Sequence, residues 1–221
     1  MVSFAKIRKA ALARHGETDM TSRLPKVKAA AALKRVTDDR YFSQMSLRIF
    51  RAGLRHSVVD DKWPSFETAF RGFDPRKVRA MSDEQVEDLM KDARLIRHLG
   101  KLRAVHANAS AFLMLAEEHG GMGSWLAAWP QDEITLLWDQ LAKRFAQMGG
   151  NSAPRFLRMV GKDTFLLTPA VVKALGHWGA FAGEPKTKAD RAKVQAIFNA
   201  WGKETGLPLA HLSMMLAASV D

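Results

Sequence analysis

Cysteine is absent from the 221 residues, tyrosine occurs once, and acidic residues are outnumbered by basic ones. Without thiols there is no disulfide scaffold, thiolate zinc site, iron–sulfur cluster or cysteine nucleophile. Long apolar runs are missing too. The longest, Ala111 to Ala116, falls far short of the roughly 18 residues of a membrane span. Near the N-terminus, Lys6, Arg8, Lys9 and Arg14 interrupt any apolar core that a signal peptide would need. No membrane association and a cytoplasmic location are therefore expected. The seven histidines never pair at i, i+4, so neither a metal nor a cofactor is expected. Runs of alternating polarity are absent as well, and no strand is predicted.

What is present is positive charge. Lys and Arg number 34 against 23 Asp and Glu, a net charge of +11. Such an excess suits a polyanionic partner, of which nucleic acid is the commonest; a solubility device is the plainer alternative. In residues 1–36 nine basic side chains stand against two acids, Glu17 and Asp19, so seven of the eleven net charges fall there. Ser3 to His15 reads as a short amphipathic helix with Phe4, Ile7, Ala11 and Leu12 on one face. It is either a basic arm that lies on phosphates or a helix packed on the body with a solvated basic face. Residues 1–36 are set apart as this arm, and 37–221 as the main domain.

The remainder reads as helix after helix, about ten in all. Tyr41 to Leu54 is followed by a turn up to Trp63-Pro64, where the proline fits the first turn of a further helix through Phe66 and Phe70. Asp74 before Pro75 is an N-cap, Ser82 to Gln85 a capping box, and Thr168 before Pro169 another N-cap. A long helix from Leu99 to Glu118 stops at Gly120-Gly121. The Trp and Met residues recur at helical spacing, which favours core packing over a base-stacking surface. Between Trp138 and Val172 a helix ends at Gly149-Gly150, and Asn151-Ser152 opens the next. A glycine-rich turn there exposes backbone N–H groups that can bind a phosphate without reading sequence; an ordinary helical hairpin has the same signature.

Four stretches together carry a family resemblance. They are Phe42 with Met45; Ala52-Gly53-Leu54; Phe66 to Phe70 with Phe73-Asp74-Pro75, Lys77-Val78 and Met81; and Ile96-Arg97-His98 with Gly100-Lys101 and Asn108-Ala109. From Tyr41 to Ala109 the chain resembles DNA-3-methyladenine glycosylase type I, of the helix-hairpin-helix glycosylases of base-excision repair. A looser likeness through Lys143-Arg144, Gly149-Gly150, Phe156-Leu157 and Val171-Val172 extends it to about residues 40–172. The resemblance implies an all-α helix-hairpin-helix fold of two helical subdomains flanking a cleft. It also implies binding of double-stranded DNA with a base flipped out; a monomer is the expected state.

The chain departs from the family pattern at positions that matter. Arg48 stands where the family carries a base-pocket glutamate, and His56 where it carries a pocket tryptophan. Alanines and lysines replace the N-terminal motif of pocket aromatics and zinc ligands, and Ala170 replaces a zinc-ligating histidine. Thr168 sits where the wider superfamily has a catalytic aspartate. The chain thus resembles a divergent member lacking the zinc ligands and both usual carboxylates.

Cleavage of a glycosidic bond builds positive charge on the sugar, which a nearby carboxylate stabilises while activating water. A 3-methylated purine is already cationic and leaves without protonation, so flipping and binding can do much of the work. Arg48 pointing into such a pocket would repel that base. Asp60 and Asp61 are the candidate relocated carboxylates, an N-cap or surface ion pair with Lys62 or Arg55 being the plainer role. Arg48, His56 and Trp63 are the candidate base-pocket residues, and Gly149, Gly150, Asn151 and Ser152 the candidate phosphate grip. The expected function is a DNA glycosylase for an alkylated or damaged base, with a non-catalytic binder of damaged duplex as the alternative.

Overall fold

The computed structural model describes residues 2–220, and among them there are only helices, turns and loops. Fourteen α-helices occur in this span: α1 (Phe4–His15), α2 (Glu17–Arg23), α3 (Ala30–Lys34), α4 (Asp38–Arg51), α5 (His56–Ala69), α6 (Pro75–Arg79), α7 (Asp83–Asp88), α8 (Leu99–His119), α9 (Met122–Ala128), α10 (Ile134–Arg144), α11 (Ser152–Val160), α12 (Pro169–His177), α13 (Lys188–Thr205) and α14 (Leu209–Ala218). The count exceeds the ten read from periodicity in part because the seven-residue helices α2 and α9 are too short to show a period.

The capping signals act as read. Asp74 accepts from the Arg76 N–H, Ser82 and Gln85 form a reciprocal capping box, and Thr168 accepts from the Val171 N–H. Gly120 ends α8 in the left-handed conformation. Pro64 is a correction. It lies inside α5 rather than opening a new helix. The missing proline N–H and the ring's clash with the preceding turn normally break a helix. Here Val59 and Phe66, buried on either side of it, hold the helix continuous across the gap.

The chain separates into two compact units. The first takes the residues up to Lys28, Pro130–Leu137 and the chain from Gly161 onward; the second takes Ala29–Trp129 and Trp138–Val160. This differs from the division at residue 36 drawn from charge. In the first unit Phe4, Ile7 and Ala11 of α1 are fully buried. The Phe4 ring meets Trp201 at 5.4 Å, and the Trp201 indole N–H donates to the Val2 carbonyl at 3.0 Å. Glu204 accepts from the Ser3 hydroxyl and from the Phe4 N–H. Of the two readings of this basic helix, the structure has the packed one, with Lys6, Arg8 and Lys9 left exposed.

The second unit is built on α4, α5 and α8. Phe42, Phe50, Phe66, Phe70, Phe73 and Phe112 are all fully buried there. Helix α9 lies so close to α3 that a Cβ on Gly123 would come within 2.5 Å of the Leu33 carbonyl oxygen, which only glycine permits.

Candidate nucleic-acid interface and base site

The turn between α10 and α11 is pinned at both ends. Phe145, just past α10, is buried with its ring 6.2 Å from Phe112. Asn108, in the middle of α8 and buried, donates to the Ala146 carbonyl at 3.1 Å and accepts from the Ala146 N–H at 2.7 Å. One amide side chain thus satisfies both polar groups of one hairpin residue. Gln147 and Gly150 take positive φ, which reverses the chain, and Ser152 N–H closes the turn on Gly149 O at 3.1 Å.

Gly149, Gly150 and Asn151 are exposed, whereas Ser152 is buried. No hydrogen bond occupies the N–H groups of Gly149 and Gly150 among the described residues. A Cβ at either glycine would meet nothing within 4 Å, so the space above the turn is open. Of the four residues expected to grip a phosphate, three line this open face. The Ser152 amide is already spent on the turn itself.

The motif running from His98 to Asn108 turns out to be scaffolding for this region. His98 caps α8, its Nδ1 accepting from the Lys101 N–H at 3.3 Å. The Lys101 ammonium donates to the Phe50 and Ala52 carbonyls, at 3.2 and 2.6 Å, closing the C-terminal end of α4. Burial, then the nearby Arg48, pushes the Lys101 pKa down. The turn that follows α4, Ala52-Gly53-Leu54, leaves Leu54 41 % exposed, and Val58 in the first turn of α5 is 47 % exposed. Sequence periodicity gave no sign of Asn108 as a clamp or of Leu54 as an exposed apolar tip. The polar group at a buried helix position was the one available signal for Asn108.

The five residues expected to form the base site separate into two environments. Arg48 is 7 % exposed, and its buried Nε has no acceptor. Burial, then Arg155 on α11 and Arg51 one turn along α4, hold its pKa below the usual arginine value. Arg51 forms a two-pronged ion pair with Asp60, at 2.8 and 2.7 Å. His56 is exposed at the start of α5, yet some desolvation and then Arg51 and Arg48 lower its pKa, with Asp60 opposing them. Arg48, His56 and Asp60 are therefore one electrostatic neighbourhood. The Asp60 partner is Arg51, not the Arg55 or Lys62 considered from sequence. Asp61 is exposed.

Trp63 is elsewhere. Its indole lies nearly parallel to the rings of Phe66 and Phe73, at 5.1 and 5.2 Å, and its N–H donates to Ser43 Oγ at 3.1 Å. Ser43 in turn donates to Glu67, which also receives both prongs of the Arg40 guanidinium. Trp63 thus sits in an aromatic pile above a polar network. No three of His, Asp and Glu converge among the described residues in a way that could hold a metal ion.

Two helices joined by an open, amide-presenting turn are the local signature of a helix-hairpin-helix, which an ordinary helical hairpin shares. Among solved structures, an 8-oxoguanine glycosylase/lyase from Methanocaldococcus jannaschii, in complex with DNA, matches at a TM-score of 0.57 over 96 % of this chain and 93 % of that one. At 14 % identity it shows the fold: that of the helix-hairpin-helix DNA glycosylases. Residues 32–150 match the methyladenine glycosylase family, and the chain belongs to it. The matched span begins before and ends short of the 40–172 read from motifs. A crystal structure of 3-methyladenine DNA glycosylase I is 26 % identical, with a TM-score of 0.51 over 65 % of this chain and 86 % of that one. DNA-3-methyladenine glycosylase 1 of Escherichia coli is 42 % identical over 79 residues, which are 36 % of this chain and 42 % of that protein. The chain thus matches less than half the length of that curated relative.

Proposed function

We propose that this chain is a DNA glycosylase of base-excision repair, hydrolysing the N-glycosidic bond of an alkylated or otherwise damaged base flipped from duplex DNA. The observation that carries this is the open turn at Gly149-Gly150, clamped by Asn108, within the segment that matches the family. Gly149, Gly150 and Asn151 grip a backbone phosphate through N–H groups. Exposed Leu54 supplies an apolar tip to fill the stack that a flipped base vacates. His56 borders the base, and Trp63 stiffens the wall behind it through its aromatic pile. Water attacks the anomeric carbon, the base departs with the bonding electrons, and a carboxylate takes the proton from water. Asp61 is the freer of the two candidates, because both oxygens of Asp60 already accept from Arg51. The partner is double-stranded DNA, bound by a monomer. In a cell without a nucleus that places the protein in the cytoplasm.

The test is base release from methylated duplex DNA by excess protein, with 3-methyladenine and 7-methylguanine separated by chromatography. Release above the spontaneous rate is expected, and Asp61→Asn should slow it by about 100-fold or more while duplex binding persists. One observation favours a second reading, a non-catalytic binder of damaged duplex: the buried cation Arg48 occupies the pocket-glutamate position. No release by the parent protein, with duplex binding intact, selects that reading.

A further inference from the structure

Helices α4, α5, α8 and α11 bring four basic side chains together against one carboxylate. Arg48 and Arg51 come from α4, Lys101 from α8 and Arg155 from α11; the carboxylate is Asp60 of α5. Two of these cations are answered. Arg51 is bonded to Asp60, and the Lys101 ammonium is held by the last carbonyls of α4. Arg48 and Arg155 have no such partner: neither makes an ion pair with a described acid, and Arg48 Nε is buried without an acceptor. A guanidinium held 7 % exposed with open donors and like-charged neighbours is costly to fold. Such a group calls for an explanation, of which a bound ion or ligand that completes it is one.

We propose that Arg48, Arg51 and Arg155, edged by His56, form a binding site for a phosphate group. Phosphate fits better than a carboxylate or a halide. Its several acceptor oxygens can meet more than one planar guanidinium at once, and its negative charge offsets part of the excess that Asp60 leaves. The phosphate belongs either to a linkage of the DNA backbone or to a free phosphate species; the chemistry of recognition is shared. The site does not depend on catalysis, so it stands or falls apart from the glycosylase reading.

Two conservative variants, Arg48→Met and Arg155→Gln, test it through three readouts on the full chain. These are thermal unfolding in inorganic phosphate against chloride at matched ionic strength, fluorescence anisotropy with an abasic-site duplex, and the NMR titration of His56. Phosphate is expected to raise the melting temperature of the parent by a few degrees and to raise the His56 pKa, with both effects lost in each variant. Arg48→Met should melt higher than the parent when no phosphate is present, because an uncompensated charge is gone. A backbone linkage as occupant weakens duplex affinity about tenfold in each variant. Unchanged duplex affinity with lost phosphate response assigns the site to a free phosphate. A parent that melts alike in phosphate and chloride, with His56 unmoved and duplex affinity equal in all three proteins, overturns the proposal.

Discussion

Tyr41, the single tyrosine of the chain, is fully buried in α4 with its hydroxyl donating to the Leu33 carbonyl at 2.8 Å. Burial, and secondarily Asp38, push its pKa up to about 12. An unfolded tyrosine titrates near 10, so folding favours the protonated form. The stability this contributes is fully present below about pH 10 and is lost as pH rises through about 12. Tyrosinate absorbance reads this residue alone. A native midpoint near 12, falling to about 10 in denaturant, is expected; equal midpoints would show an exposed phenol. Arg48 makes the opposite point about legibility. That an arginine stands at position 48, where the resemblance implies a glutamate, is plain in the sequence. Its burial beside Arg155 is not, because that depends on α11 crossing the same face of α4.

At the scale of elements, α10, the turn and α11 are legible as a break at Gly149-Gly150, but their rigidity comes from α8. Asn108 lies 38 residues away from the hairpin residue it holds. Asn108→Ala removes both hydrogen bonds and strands the Ala146 N–H and C=O. We expect a loss of about 2–3 kcal/mol in urea unfolding, together with weaker duplex binding as the turn loses its shape. Unfolding at the parental midpoint would show that the turn holds itself. Helix α5 shows the converse limit. Proline is normally a reliable boundary signal, yet α5 runs through Pro64, because burial of Val59 and Phe66 outweighs the local cost. Likewise, the apolar stripe of α1 is readable, whereas its target, Trp201, is brought to it only by folding.

At the scale of the molecule, the net charge of +11 governs how the protein meets a polyanion. Each phosphate that it neutralises adds about 0.9 to the fall of log affinity with log salt. Duplex affinity measured from low to moderate salt should therefore follow a line of slope about −3 or steeper; an affinity indifferent to salt would remove DNA from consideration.

Local features were readable before folding: the helical class, the caps at Asp74, Ser82 and Thr168, the stop at Gly120, the turn at Gly149-Gly150, and the family resemblance. Each of these depends on residues within about one turn of one another, or on motifs in order along the chain. Tertiary structure alone decided that Asn108 clamps the hairpin, that Asp60 answers Arg51, that Trp63 joins an aromatic pile, and that Arg48 lies buried beside Arg155. Those outcomes turn on which side chains helices distant in sequence bring face to face. Helical periodicity fixes which face of a helix is apolar, but not which neighbour covers it.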